Sequence, residues 1–386
     1  KGEVYPFIDI DKVSPTKRSV TNAETKTYDG QSSSKFCNGD TVFSRITPCL
    51  ENRKIAKVSI DGEAAFGSTE FYIFRAKKEK ADERFTYYLT SSDAVVLPAI
   101  NSMTGASGRQ RADKRFIQRL KLNLPDLPTQ EKIADVLSAY DDLIEANNHR
   151  IELLEQTAQE LYKEWFVRLR FPGYENVKFT NGLPEGWSYV RFGKAIEIID
   201  GDRGINYPKQ EEFYPEGDCL FLNAGNVTTK GFDFSACSYI TKEKDAILRK
   251  GKLQHGDVVL TTRGTVGNVA YLNKTMTFSE MRINSGMVIL RNLGVVSPEY
   301  IYTALRHEYM QKLMTLYASG SAQPQLPIKD MKRMKVIKGD AKTMEQFTEI
   351  SADIYNQISL LIMKNQTIAK QRDMLLPRLM SGKLEV

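Results

Sequence analysis

A catalytic or metal centre in this 386-residue chain would have to be built from few residues. There are three histidines, His149, His255 and His307, and four cysteines, Cys37, Cys49, Cys219 and Cys237. The histidines lie far apart, none in a metal-ligand spacing, and read as surface or groove residues. The cysteines form no CxxC, so neither disulfides nor zinc are expected, and the setting reads as reducing and cytoplasmic. Residues 264–267, GTVG, form a bare GxxG, better read as a tight turn than as a phosphate cradle. No GxxxxGK[ST] loop, adjacent nucleophile and base, or paired-carboxylate motif stands out. The expectation is a chain with no catalytic residue and no metal site. What remains is positive charge. The formal net charge is +6. Residues 109–121, RQRADKRFIQRLK, carry six basic side chains and one acid, and 329–338, KDMKRMKVIK, carry five and one. Such runs suit either a solvated face or a polyanionic partner.

The elements that would position these runs are legible in the spacing of apolar residues. The length suggests two domains, and 41% hydrophobic with 26% charged residues is the balance of a soluble globular protein. No apolar run approaches the roughly 18 residues of a membrane span, and KGEVYPFIDI lacks a signal-peptide pattern. Ile133, Leu137, Tyr140, Ile144, Asn147, Ile151, Leu154, Ala158, Leu161 and Trp165 alternate in steps of four and three. That heptad seam predicts a long helix in need of a partner helix. Phe347, Ser351, Ile354, Ile358, Leu361, Asn365, Ile368, Arg372, Leu375 and Leu379 repeat it, each 214 residues after its counterpart. Two equal seams in one chain are expected to pair with each other. Asn147 and Asn365 stand at non-equivalent places, where a polar group either fixes register or faces solvent. Thr129 is the expected N-cap of the first helix, after Pro128, and Pro377 should bend the second near its end.

An offset of 214 to 217 recurs outside the helices. PFIDIDKV (6–13) matches LFLNAGNV (220–227), and NGDTVFSR (38–45) matches HGDVVLTTR (255–263) with one residue added. FYIFR (71–75) matches MVILR (287–291), RFTYYL (84–89) matches YIYTAL (300–305), and IQRLKL (117–122) matches MKRMKV (331–336). The constant order marks a duplication. Each repeat is a globular part followed by a long helix. The globular part should hold strands at 41–44 and 71–74, or 258–261 and 287–290, and a helix near 84–91 or 298–316. The first repeat begins at Lys1, opposite residue 215, without a counterpart of LPEGW (183–187). A leading segment of roughly 30 residues is therefore expected to be missing from it.

Taken together, LPDLPTQEKIADVL (124–137), the WF helix end (165–166), LPEGW, GDVVLTTRGTVG (256–267), SGSAQPQLPIKDMK (319–332) and RDMLLPRLMSGKL (372–384) resemble the DNA-specificity subunit of a type I restriction–modification system. The resemblance covers nearly the whole chain. It implies an α+β fold with pseudo-two-fold symmetry: two repeated target recognition domains, each with a small twisted β-sheet and helices, separated by two long antiparallel coiled-coil helices. The corresponding divisions are 1–126, first recognition domain; 127–170, central spacer helix; 171–340, second recognition domain; and 341–386, C-terminal spacer helix. A spacer of about 37 residues would span roughly 55 Å, against about 34 Å per duplex turn. Two readers held that far apart imply a split, asymmetric target on double-stranded DNA. The implied partners are two modification (methyltransferase) subunits and restriction (translocase–endonuclease) subunits, with no membrane. S-adenosylmethionine would be bound by the modification subunits, leaving this chain without a cofactor and noncatalytic.

By the same resemblance, DNA contacts fall on loops at one edge of each recognition domain. In the second these are Thr261, Thr262, Arg263 and Thr265 after the GD strand, and Ser319, Ser321, Gln323 and Gln325 ahead of the basic run. In the first they are Ser44 and Arg45, and Ser107, Arg109, Gln110 and Arg111, although MTGASGRQR lacks the prolines of its counterpart. Arginine pairs with guanine and glutamine with adenine in the major groove. Lys114, Arg115, Lys332 and Lys335 suit phosphate positioning. Two other readings stay open at this point. One is a nuclease or methyltransferase with its own active site, for which PDLPTQEK (125–132) has the wrong acid–lysine spacing. The other is a coiled-coil scaffold pairing between chains.

Overall fold

The computed structural model describes residues 2–386 apart from 16, 22, 23, 278, 279, 321 and 322. The chain forms two compact units: Lys1–Ala146 with Asn365–Val386, and Asn147–Lys364.

In the first unit the strands divide between two four-stranded sheets rather than one small sheet. In one, Thr41–Ser44 lies between Ile55–Val58 and Phe71–Phe74, antiparallel to both. All four of its residues are buried, as a central strand covered on both faces requires. In the other, Glu3–Ile8 runs antiparallel to Glu24–Tyr28 and parallel to Ala64–Gly67. The second unit repeats these pairings residue for residue. Val258–Thr261 lies between Val269–Tyr271 and Met287–Asn292. Cys219–Leu222 runs antiparallel to Tyr239–Ile240 and parallel to Met281–Ile283. Even the registers correspond: Thr41 faces Phe74 as Val258 faces Leu290, and Pro6 faces Thr25 as Leu220 faces Tyr239. The duplication read from the sequence is thus a duplication of hydrogen-bond register.

The helix expected near 84–91 occurs as the first of a pair, and the one expected at 298–316 is broken into a pair. Glu83–Ser91 is followed by Asp93–Asn101, and Pro298–Arg306 by Glu308–Tyr317. The break in the second pair falls at His307, whose ring caps the next helix by accepting from the Tyr309 amide. His307 is buried against the Tyr162 ring, not in a surface groove, and burial lowers its pKa.

The two long helices are Leu127–Tyr162 and Ala341–Met380. The cap of the first is Asp126, not Thr129: its carboxylate accepts from the Thr129 amide at 3.1 Å. Pro128 sits within the first turn, where its missing N–H costs nothing. Asp340, again 214 residues later, accepts from the Thr343 amide at 3.0 Å. The second helix continues through Pro377 to Met380.

None of the seam side chains is exposed. Within the first unit, Ile133 and Leu137 pack with Leu375 and Leu379 and with Phe85 and Tyr88 of the first helix of the globular part. Tyr140 and Ile144 are half-buried and Ile368 is buried. Within the second unit, Ile151, Leu154, Leu161 and Trp165 share a core with Phe347, Ile354, Ile358 and Leu361. In the first unit the start of one helix meets the end of the other; in the second unit the end of one meets the start of the other. Each is an antiparallel pairing within one chain. Asn147 is buried, which favours a register role over a solvent-facing one. Among the described residues no helix is long and apolar enough to cross a membrane.

Candidate nucleic-acid interface

The GD motifs of the two repeats are structural clamps. Asp40 accepts from the Cys37 amide at 2.7 Å and holds the Arg75 guanidinium through two bonds of 2.7 and 2.6 Å. Asp257 accepts from the Gln254 amide at 2.8 Å and holds Arg291 through bonds of 2.9 and 2.7 Å. Both carboxylates are almost wholly buried, 2% and 1% exposed, and a buried carboxylate needs such a paired, bidentate partner. The clamp ties the tight turn to the arginine ending FYIFR or MVILR, and so fixes where the following loop leaves the sheet.

Downstream, the same backbone scaffold carries a polar loop in each unit. In the first, Thr104 and Arg111 exchange amide–carbonyl bonds of 3.1 and 2.9 Å, and the Ala112 amide donates to the Arg45 carbonyl at 2.8 Å. In the second, Ser319 and Gln325 exchange bonds of 2.9 Å each, and the Leu326 amide donates to the Thr262 carbonyl at 2.9 Å. Ala112 and Leu326 are again 214 apart, so the two loops correspond despite the missing prolines. Each turns on a left-handed glycine, Gly105 (φ 127°) or Gly320 (φ 100°). A Cβ at these positions would meet the Arg109 carbonyl oxygen at 3.2 Å or that of Gln323 at 2.8 Å, so both the torsion and the close approach require glycine.

The side chains on this shared scaffold differ. In the first unit Glu70 gathers two of the candidate arginines. Arg111 makes a forked pair with it, Nε at 2.9 Å and Nη2 at 2.6 Å, and Arg45 Nε adds a bond at 3.1 Å while its guanidinium lies over Tyr72. The Arg111 and Arg45 bonds hold the Glu70 carboxyl below the usual carboxylate range, against the opposing effect of burial. Ser107 and Arg109 are exposed and Gln110 is half-buried, its amide bonded to Thr47 Oγ1 at 3.0 Å. In the second unit Gly286 occupies the place of Glu70: its carbonyl accepts from the Thr262 and Arg263 amides, as that of Glu70 accepts from the Arg45 amide. Arg263 therefore faces no carboxylate there, and among the described residues its buried Nε has no hydrogen-bond partner. Thr265, Ser319 and Gln323 are exposed and Gln325 is half-buried. Ser321 lies outside the described residues.

Three candidates are placed inside the frame and not on its surface. Ser44 and Thr261 are fully buried and Thr262 is 4% exposed, because the strands run on to 44 and 261 and the loop bridge covers 262. Thr261 Oγ1 donates to the Thr265 carbonyl and accepts from the Asn268 amide at 3.0 Å, and Thr262 Oγ1 donates to the Gly286 carbonyl at 3.1 Å. They shape the turn that presents Arg263 and Thr265. Lys114 and Arg115, on the short helix Lys114–Gln118, are exposed, as are Lys332 and Lys335. The sequence reading missed Glu70 and Arg191. Arg191 is exposed and stands opposite Lys335 across an antiparallel strand pair. Like charges in that position repel unless an anion lies between them. The signal for Glu70 would have been its alignment with Gly286, one residue outside the matched FYIFR.

The first unit also contains a cavity of about 500 Å³ lined by Arg18, Lys57, Glu83, Arg84, Tyr88 and Asp142, among others. Its cations are already matched: Arg18 to Asp142 and Glu145, Lys57 to Glu83, Arg84 to Asp135. It is a polar joint between the globular part and the long helix.

The type I restriction modification DNA specificity domain family matches residues 1–156 and again 184–366. The chain belongs to that family. Among its relatives, it is similar to the type I restriction enzyme MjaIX specificity subunit of Methanocaldococcus jannaschii, 24% identical over 315 residues, which are 80% of this chain and 71% of that one. It is also similar to the HindI specificity subunit of Haemophilus influenzae, 22% identical over 425 aligned residues, covering 94% and 90%. Its fold is like that of the type I restriction–modification S subunit of M. genitalium, with a TM-score of 0.52 at 15% identity, over 98% of this chain and 93% of the other.

Proposed function

We propose that this chain is the noncatalytic specificity subunit of a type I restriction–modification complex, reading a split, asymmetric duplex target with one half assigned to each unit. Residues 1–126 and 171–340 are the two readers; 127–170 and 341–386 are the frame that carries them. The observation that supports this best is the pair of corresponding loops, 104–111 and 319–325, built on one backbone pattern but furnished with different side chains. A duplicated scaffold with diverged contents suits two readers of two different sequences, since base contacts specify while phosphate contacts position. In the second reader Arg263, Thr265, Ser319, Gln323 and Gln325 face bases, and Lys332, Lys335 and Arg191 face phosphates. In the first, Ser107, Arg109, Gln110, Arg111 and Arg45 face bases, and Lys114 and Arg115 face phosphates.

Two modification subunits, with S-adenosylmethionine bound to them, would methylate the site so marked, and restriction subunits would cleave unmodified DNA, all in the cytoplasm. The test is to exchange residues 1–126 for the equivalent unit of a relative and map methylated sites in genomic DNA with the cognate modification subunits present. One half of the target should change and the other should stay. A change in both halves would falsify the assignment of one reader to each half.

A further inference from the structure

Among the described residues of the second unit, the most exposed large apolar side chain is Ile205, at 95%. It belongs neither to the GD loop nor to the 319–325 loop. It stands in a tight turn, where the Tyr207 amide donates to the Gly204 carbonyl at 3.0 Å. Both sides of the turn are anchored. Asp202, itself 7% exposed, accepts from the Gly204 amide at 2.7 Å and from the Arg249 amide at 2.8 Å. Pro208 is buried and the Tyr207 ring meets Phe221 edge-on at 5.7 Å. An isoleucine held at the tip of an anchored turn keeps the unfavourable hydration of its side chain, with no apolar cover among the described residues.

The base of this loop adjoins the Arg263 loop. A Cβ on Gly201 would lie 2.2 Å from the Asn284 carbonyl oxygen, so the two backbones are in contact. Arg203 Nη2 donates to the Ser285 carbonyl at 3.1 Å. The next carbonyl, Gly286, accepts from the Thr262 and Arg263 amides at 2.8 and 3.2 Å. One turn, 284–286, therefore joins the Ile205 loop to the Arg263 loop. Arg203 and Arg249 are exposed beside Ile205. The nearby acids are engaged, Asp200 with Arg203 at 3.1 Å and Asp202 with the two amides.

We propose that Ile205 is an apolar DNA contact of the second reader, meeting a base in the half-target read by Arg263, with Arg203 and Arg249 set for the adjoining phosphates. The inference rests on the DNA-specificity reading above. Apolar side chains at such tips contact thymine methyl groups or wedge between base steps, and cations flank the contact because every base is bordered by phosphate.

The experiment uses the full chain co-purified with its modification subunits. The probes are the mapped target duplex and the same duplex with its second half scrambled. Ile205→Ser should bind the target about tenfold more weakly or worse, the fold-change that burying an isoleucine side chain supplies. Ile205→Leu should restore most of that loss, and neither variant should shift the melting temperature. If Ile205→Ser binds the target as wild type does, while wild type still prefers target over scrambled duplex, the inference fails and the DNA-specificity reading stands. If wild type does not discriminate the duplexes, that reading fails and this inference with it. Loss of the modification subunits from the Ile205→Ser preparation would make the tip a protein-docking point and overturn the proposal.

Discussion

The first unit pairs two of its candidate arginines, Arg45 and Arg111, with a carboxylate of its own, and no such pair is formed by Arg263 among the described residues of the second. Arg45 and Arg111 converge on Glu70; the Arg263 amide donates to the Gly286 carbonyl, and among the described residues its Nε has no partner. The strand registers, the aspartate clamps, the loop bridges and the turn glycines are common to both. The difference teaches where divergence is permitted. Groups that satisfy buried backbone and charge are retained in both copies, because losing either partner leaves an expensive orphan. Groups whose partner would come from outside are free to change.

A second contrast lies where each recognition domain meets the long helices. In the first unit Tyr88 donates to Asp141 at 2.6 Å, and Asp141 also pairs with Arg372. Burial first, and then the Asp141 charge, push the Tyr88 phenol well above its usual range. In the second unit, counting from the helix caps Asp82 and Ser297 and so one residue off the sequence match, the corresponding positions hold Thr303 and Tyr355, a neutral pair of hydroxyls 2.6 Å apart. Breaking the two joints should therefore have unequal cost. Asp141→Ala leaves Arg372 without its buried partner and should lose about 3 kcal/mol. Tyr355→Phe removes one neutral hydrogen bond and should lose about 1 kcal/mol. Denaturant unfolding of the full chain measures both, and equal losses would dissolve the contrast.

Next in size is the effect at the unpaired arginine. Arg263→Ala should relax only the second half of the target, at about 1–3 kcal/mol for a lost base contact, read by binding competition against single-base variants of each half. Relaxation of the first half would break the assignment.

A smaller effect concerns Glu70. A carboxyl whose pKa is lowered on folding contributes stability above its unfolded value and loses it as pH falls through the folded value. Glu70→Gln should therefore melt below wild type at neutral pH, with the gap closing as pH falls below about 4. A gap that does not depend on pH would show that the ion pairs with Arg45 and Arg111 are not its source. The smallest expected change is at Lys332. Its loss to alanine should weaken binding to all sequences alike and lower the slope of log K against log salt by about 1. Selective loss on one sequence would instead make it a reader.

Much of this frame was legible because it rests on periodicity and repetition. The seam from Ile133 to Trp165 and its copy 214 residues on follow from spacing alone, and the strands at 41–44 and 258–261 from short apolar runs before a turn. The cap was misplaced because Pro128 was taken as excluded from the helix; a first-turn proline is compatible with it, and Asp126 was the better acceptor. The helix at 93–101 and the break within 298–316 escape the sequence for a related reason: Pro98 reads as a helix breaker although the helix runs through it, and His307 reads as an interior residue although it caps. At the interface, exposed loop positions such as Arg109 and Gln323 could be picked from polarity. Sequence could not say that Ser44 and Thr261 point inward, which depends on the strand's last residue and on the bridge covering it. Nor could it give Glu70 its role, since that carboxylate acts through two arginines 25 and 41 residues away.

The division of the long helices between the units bears on the order of synthesis. Residues 147–364 are contiguous, whereas the other unit takes part of its wall from 365–386. Phe85, Tyr88, Ile133 and Leu137 are covered by Leu375 and Leu379, which the ribosome adds only after residues 147–364. The half translated first thus closes last, and its apolar face waits uncovered while the later half folds. In nascent chains halted near residue 364, protease should spare 147–364 and cut within 83–137; equal protection of both segments would show that the early half closes unaided.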